Sequence, residues 1–70
     1  MTDSIYRVTE VIGTSEASWE DAAKNAVETA AGSLRDLRVG EIVKLDLTIE
    51  DGKVAQYRAR VNISFKYEHE

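Results

Sequence analysis

The sequence contains no cysteine and no proline, and it has only one histidine and one tryptophan among 70 residues. Without cysteine the chain has no disulfide, no thiolate metal ligand and no cysteine nucleophile. No apolar run reaches the roughly 20 residues that a membrane-spanning helix needs. The N-terminal residues also lack the basic and then apolar pattern of a signal peptide. We therefore expect a cytoplasmic protein without a membrane partner.

The charge balance is acidic, with 13 Asp and Glu residues against 9 Lys and Arg residues and a formal net charge of −4. A negative chain is repelled by phosphate backbones, so we expect no nucleic-acid partner. Hydrophobic residues make up 43% of the sequence, and the charges are interspersed among them. This composition favours a folded chain over a disordered one. The length predicts a single domain, 1–70, with an ordered core of about 4–67.

The first half of the chain predicts a strand followed by a helix. β-Branched residues are frequent from Ile5 to Ile12, and Gly13 is expected to close this strand. Ser18 and Asp21 approximate the capping box that begins a helix. Gly32 is expected in the last turn of this helix. Small and apolar side chains recur between these points at helical spacing: Trp19, Ala22, Ala23, Ala26, Val27, Ala30 and Leu34.

The second half alternates between apolar and polar residues, which predicts two strands. Asp51-Gly52 predicts a type I′ turn after a strand from Leu37 to Glu50, and the return strand runs from Val54 to Tyr67. One side of the first of these strands is predicted to carry Val39, Glu41, Val43, Leu45, Leu47 and Ile49. The predicted fold is therefore α+β, a β-α-β-β chain whose three-stranded antiparallel sheet carries one helix.

The predicted hairpin is longer than the helix that has to cover it. Fourteen strand residues extend over ~46 Å at about 3.3 Å per residue, whereas a helix of ~15 residues covers ~22 Å at about 1.5 Å per residue. Apolar side chains on the uncovered part would face water, which monomeric proteins rarely tolerate. We therefore expect another copy of the same chain to cover this surface.

Besides the alanine-rich helix, four segments of this sequence form a family pattern: Tyr6-Arg7-Val8, Val11-Ile12-Gly13-Thr14-Ser15, Leu37 followed by Glu41-Ile42, and Val61-Asn62-Ile63-Ser64-Phe65. With these features nearly the whole sequence resembles the dodecins, small β-α-β-β proteins that assemble into hollow spherical dodecamers. The resemblance implies a homododecamer with the long hairpins at its interfaces. It also implies a non-enzymatic protein that binds, stores or buffers a small molecule or a cation.

The best-known dodecins bind flavins such as FMN or riboflavin in stacked pairs between a tryptophan and a glutamine. In this sequence Val39 lies at the tryptophan position and Arg58 at the glutamine position. An aliphatic side chain lacks the aromatic face that stacks on a flavin, and a cation replaces a neutral amide. The resemblance thus argues against the usual flavin geometry, and a flavin site of modified chemistry is the alternative.

The subgroup of calcium dodecins is more similar to this sequence. It shares Ser18-Trp19, Asp36-Leu37-Arg38-Val39, Asp46, Tyr57-Arg58 and Ser64-Phe65-Lys66. This resemblance favours calcium over flavin as the ligand, without assigning the residues that bind it. Glu41 and Asp46 are the strand carboxylates that we select as candidate metal ligands, because calcium prefers oxygen ligands. No EF-hand loop is present, so backbone oxygens, waters or another copy would have to complete such a site.

Three aromatic residues are candidates for core or assembly contacts: Trp19, Tyr57 and Phe65. An indole in the first turn of an apolar helix face is more often a core or interface residue than a ligand-stacking one, so we expect Trp19 in the core or at an interface. The single histidine, His69, lies in the C-terminal tail and is not selected as a metal ligand or a catalytic residue.

The return strand carries basic side chains on its polar side, among them Arg58, Arg60 and Lys66. Opposite Asp46 and its neighbours, they predict cross-strand ion pairs on a solvated face. The same residues could instead line a cavity that holds an anion. No nucleophile elbow and no phosphate-binding glycine loop is present, so we expect no enzyme activity. An assembly module without a ligand is the remaining alternative.

Overall fold

The computed structural model describes residues 5–66. They form β1 (Tyr6–Ser15), α1 (Trp19–Ala30), β2 (Leu37–Glu50) and β3 (Lys53–Lys66). The strands form one sheet of order β1-β3-β2, with both neighbouring pairs antiparallel. The predicted β-α-β-β fold is therefore confirmed. Ser4 and Tyr67, the ends of the predicted ordered core, lie outside the described residues.

The first strand continues through Gly13 to Ser15, so the prediction that Gly13 closes it is wrong. Gly13 pairs with Ala59 on β3 and lies directly beneath the helix. A Cβ atom at this position would lie 2.8 Å from the Ala26 Cβ and would collide with the Ala22 carbonyl oxygen. The glycine therefore serves a close approach of helix and sheet and does not form a turn.

The helix begins with one half of the predicted capping box. The Ser18 Oγ accepts a hydrogen bond from the Asp21 N–H at 3.0 Å, which satisfies one of the free N–H groups of the first turn. The Asp21 carboxylate does not reach back to Ser18, because it accepts a hydrogen bond from the buried Ser15 hydroxyl at 3.1 Å. The Ser15 Oγ in turn accepts the Ala17 N–H at 2.9 Å. This network joins the end of β1 to the start of α1.

The helix ends at Ala30, before the predicted last turn at Gly32. Leu34 follows in a turn, where its N–H donates to the Ala30 carbonyl at 2.9 Å. The buried core is thin and lies between the helix and the central strand: Ala22, Ala26, Ala30, Ala59, Val61 and Ile63. The helix packs on β1 and β3 and barely reaches β2. Within residues 5–66, no helix is long and apolar enough to cross a membrane.

A β-bulge at Val43 overturns the predicted alternation of β2. Ile42 pairs with Val61 and Lys44 pairs with Arg60, which are adjacent positions of β3, so Val43 is an extra residue. Beyond a bulge the side chains of a strand change sides. The prediction that Val43 and its odd-numbered neighbours share one side is therefore wrong.

The bulge sorts the β2 side chains between the two faces of the sheet. Ile42 and Leu45 lie on the side of the helix, opposite Val61 and Ala59. Glu41, Lys44 and Asp46 lie together on the other side. We call this other side the helix-free face. It carries the β3 residues that alternate with the buried Ala59, Val61 and Ile63, namely Arg58, Arg60, Asn62 and Ser64.

The hairpin projects beyond the helix, and the described chain extends over 56 × 20 × 13 Å. Its turn is formed by Asp51 and Gly52 with φ values of 53° and 74°, as the predicted type I′ turn requires. Large apolar side chains are exposed along β2, in the hairpin and on β1: Ile5, Tyr6, Val8, Ile12, Val39, Ile42, Val43, Leu45, Ile49 and Val54. The prediction that one helix leaves apolar sheet surface uncovered is confirmed.

Candidate functional site

Three successive rows across the helix-free face carry charged side chains, and each row contains one residue from each strand. The pairing defines an ion-pair row of Thr14, Arg58 and Asp46, a basic row of Ile12, Arg60 and Lys44, and an acidic row of Glu10, Asn62 and Glu41. Neighbouring strands lie about 4.8 Å apart, and successive rows are ~7 Å apart at about 3.3 Å per residue.

Asp46 and Arg58 form a two-pronged ion pair. The Arg58 Nε donates to Asp46 Oδ1 at 2.8 Å and the Arg58 Nη2 donates to Oδ2 at 2.9 Å. The guanidinium hydrogen bond holds the pKa of the Asp46 carboxyl below its usual value, and the charges of Lys44 and Arg60 act in the same direction. The pair likewise raises the pKa of Arg58. The predicted cross-strand pairing is confirmed at this position.

Trp19 lies at the edge of the fold, on the side of the helix. Its Nε1–H donates to the Asp46 carbonyl oxygen at 2.9 Å, and its ring packs edge-on against half-buried Tyr57, with centroids 5.1 Å apart. Trp19 is 36% exposed, so it lies outside the buried core of the single chain. Within residues 5–66 its outer side is exposed, and its neighbours in the helix stripe are alanines. A role of Trp19 in assembly stays a prediction.

An apolar groove of about 220 Å³ runs beside this indole, between the start of the helix and β2. It is lined by Trp19, Glu20, Ala23, Ile42 and Leu45. The groove exists because the helix stripe is alanine-rich at Ala23 and does not extend over β2. It gives this part of the exposed apolar surface a concave shape.

Phe65, the third aromatic candidate, lies at the other end of the sheet. It pairs with Arg7 and Leu37 and is half-buried. Eight residues separate it from Tyr57 along β3, a distance of ~26 Å at about 3.3 Å per residue. The structure therefore brings Trp19 and Tyr57 together but leaves Phe65 apart.

The two residues at the flavin positions do not meet within one chain. Val39 pairs with Ser64 and Arg58 with Asp46, six β3 residues apart, or ~20 Å at about 3.3 Å per residue. Both lie on the helix-free face, where Val39 is 58% exposed. Any pocket that contains both positions needs a second copy of the chain.

The two candidate metal ligands share a face but not a site. Glu41 is paired with Asn62 and Asp46 with Arg58, so the basic row lies between them and they are ~13 Å apart at about 3.3 Å per residue. Residues 5–66 contain no group of three or more His, Asp or Glu side chains placed to hold a metal ion. His69 lies outside the described residues.

Sequence reasoning missed Glu10 and Asn62 as oxygen-bearing partners of Glu41. The register places Glu10 of β1 and Glu41 of β2 on either side of Asn62. Carboxylate and amide oxygens are ligands that Ca²⁺ prefers. The only sequence signal is that each is a polar residue within an apolar strand, and which of them become neighbours depends on strand order and on the bulge at Val43.

The fold is that of a small β-α-β-β protein whose sheet carries one helix and leaves apolar surface exposed. The family model described as Dodecin matches residues 5–68. The chain belongs to the dodecin family.

Its relatives include a calcium dodecin from Mycobacterium tuberculosis, which is 40% identical over 63 residues, 90% of this chain and 89% of the relative. The structure of dodecin from Streptomyces coelicolor is 38% identical with a TM-score of 0.93, and the match covers 100% of both chains. The crystal structure of the M. tuberculosis calcium dodecin is 41% identical with a TM-score of 0.81 over 93% of each chain. That protein is described as calcium-chelating, with a novel calcium-binding site.

Proposed function

We propose that this chain assembles into a dodecin-type homododecamer and acts as a non-enzymatic protein that binds or buffers a small ligand, with calcium as the favoured one. The observation that carries the proposal is the exposed apolar surface of the long hairpin, combined with membership of the dodecin family. The cytoplasmic location and the lack of nucleic-acid and membrane partners stay predictions from composition.

Assembly is supported by the position of the exposed side chains. Ile42 and Leu45 are each 47% exposed in the groove beside Trp19, and Ile49 and Val54 are exposed beyond the helix. Each large apolar side chain that a neighbour covers contributes about 1.5–3 kcal/mol when fully buried. A core made mostly of alanine gives a 70-residue chain little stability of its own. Burial between copies would supply the missing part.

Calcium is supported by the similarity to calcium dodecin and by the acidic row. Glu10, Asn62 and Glu41 offer two carboxylates and one amide oxygen, whereas calcium takes six to eight oxygens. Waters or a second copy would complete the site. Asp46 is a poorer candidate, because both of its carboxylate oxygens already accept hydrogen bonds from Arg58.

Calorimetric titration of calcium into EDTA-treated protein tests this proposal. We expect saturable binding to the wild type, and at least tenfold weaker binding to Glu41→Gln and to Glu10→Gln, because each substitution removes a charged ligand. Glu28→Gln, at an exposed position of the helix, is the matched control and should bind as the wild type does. Calcium binding lost in Asp46→Asn alone would move the site to the ion-pair row, and no heat from the wild type would remove calcium from the proposal.

Flavin binding of the usual kind is disfavoured at the side-chain level. Val39 offers no ring face, and the Arg58 guanidinium is held by Asp46. Riboflavin or FMN fluorescence should therefore stay unquenched at micromolar protein. Strong quenching would support the alternative of a modified flavin pocket. Protein that assembles but binds neither calcium nor flavin would support the alternative of an assembly module without a ligand.

A further inference from the structure

The basic row places two cations directly opposite each other. Lys44 of β2 pairs with Arg60 of β3 on the helix-free face. Neither side chain makes an ion pair or a hydrogen bond with another residue in the described range 5–66. The bulge at Val43 creates this pair, because it moves Lys44 to the face that Arg60 occupies.

Like charges directly opposite each other on a sheet are unfavourable, and no carboxylate within residues 5–66 forms a direct ion pair with either of these two cations. On one side of the basic row, the nearest carboxylate is that of Asp46, and the Arg58 guanidinium already neutralises its charge. Lys44 and Arg60 lie close enough to Asp46 to contribute to its lowered pKa. The carboxylates of the acidic row lie on the other side of the basic row, also ~7 Å away along the strands, and within residues 5–66 they form no ion pair with either cation.

We propose that Lys44 and Arg60 form a binding site for a phosphate-class oxyanion. An oxyanion between them would convert their repulsion into two charge-assisted interactions. The planar guanidinium of Arg60 can donate two parallel hydrogen bonds to one phosphate group, and the Lys44 ammonium supplies a mobile point charge. The site goes beyond the proposed calcium function, since it uses different side chains and an oppositely charged ligand.

Calorimetric titration of the assembled full chain with inorganic phosphate, in chloride buffer and without calcium, tests the site. The variants are Lys44→Gln and Arg60→Gln, and Lys24→Gln at an exposed position of the helix is the control. We expect the wild type and Lys24→Gln to bind phosphate, and binding to be about tenfold weaker or lost in each of the other two variants. A parallel titration with a nucleoside monophosphate separates sources: equal affinity assigns the site to a free phosphate group, and tighter binding assigns it to a phosphate ester.

Thermal unfolding without phosphate provides a second readout. Removing one of two opposed cations should leave the melting temperature of Lys44→Gln and Arg60→Gln unchanged or higher. Phosphate should then raise the melting temperature of the wild type and of Lys24→Gln only. Phosphate binding that is absent from the wild type, or unchanged in both variants, would overturn the site. So would a loss of assembled mass in these variants, because the cations would then be paired with carboxylates of another copy.

Discussion

At the scale of single residues, Asp46 connects the two faces of the sheet. Its carboxylate holds Arg58 on the helix-free face, and its carbonyl oxygen accepts the indole N–H of Trp19 from the side of the helix. The sequence indicates the first contact, because the two residues alternate with apolar neighbours on adjacent strands. It does not indicate the second, since a backbone oxygen is available on every residue.

Asp46→Asn should lower stability in a pH-dependent way. The hydrogen bond from Arg58 holds the pKa of Asp46 below its usual value in the folded chain. The contribution of this carboxylate is therefore complete above the ordinary aspartate pKa, and it is lost as the pH falls through the lowered value. Urea unfolding of both proteins between pH 2 and 7 should give curves that differ at neutral pH and converge in acid.

Because the Asp46–Arg58 ion pair is partly exposed, the difference in stability between the wild type and Asp46→Asn should be small and should shrink in high salt. Glu28→Gln is the control and should show no such convergence, because it removes an exposed helix carboxylate that forms no ion pair within residues 5–66. A gap between the Asp46→Asn and wild-type curves that stays constant down to the lowest pH would contradict this interpretation.

At the scale of elements, the helix lies close to β1 because the residues in contact are small. Gly13 lies below Ala22 and Ala26 with no space for a Cβ atom. Gly13→Ala should therefore force the helix away from the sheet and cost about 1–3 kcal/mol in the free energy of unfolding, as overpacking typically does. Gly40→Ala is the control, since a Cβ atom there would lie 3.4 Å from Val61 Cγ1 and 3.5 Å from Val27 Cγ2, which are ordinary van der Waals distances. Equal urea midpoints for the two variants would contradict the proposed close approach.

The elements themselves could be predicted from the sequence, and their irregularities could not. The Asp51-Gly52 turn and the alanine stripe depend on local residues, and both are present as expected. The bulge at Val43 depends on which β3 residues pair with β2, and an alternating pattern carries no information about the partner strand. The sequence does not show that Gly13 lies within a strand, for a related reason. The helix residues that leave no space for a Cβ atom at Gly13 lie elsewhere in the chain.

The candidate site shows the same limit. Resemblance and residue type select Val39, Arg58, Glu41 and Asp46, but the register brings only Arg58 and Asp46 into one row and places Val39 and Glu41 in two other rows. Glu10 and Asn62 are candidate metal ligands because the register of the three strands makes them neighbours of Glu41. Such neighbours are far apart in sequence, so spacing rules for local motifs do not find them.

At the scale of the whole molecule, the described residues expose more apolar surface than monomeric proteins usually leave facing water. Leu45→Glu tests this directly, because Leu45 is 47% exposed in the single chain and lines the groove beside Trp19. In an isolated chain the substitution should lower the free energy of unfolding only slightly. At an interface it would bury a charge, so the variant should lose its assembled mass in light scattering. Lys24→Glu, on the helix, should keep it, and an intact assembly of Leu45→Glu would show that this groove is not an interface.

The most direct test of assembly into a homododecamer is the mass of the wild-type particle, measured by native mass spectrometry and by size exclusion with light scattering. The chain weighs 7.8 kDa, so a dodecin-type particle should have a mass of twelve chains at micromolar concentration. The mass should not depend on added flavin. A monomer at that concentration would contradict the proposed assembly, because the apolar hairpin surface would then be exposed to water without a partner.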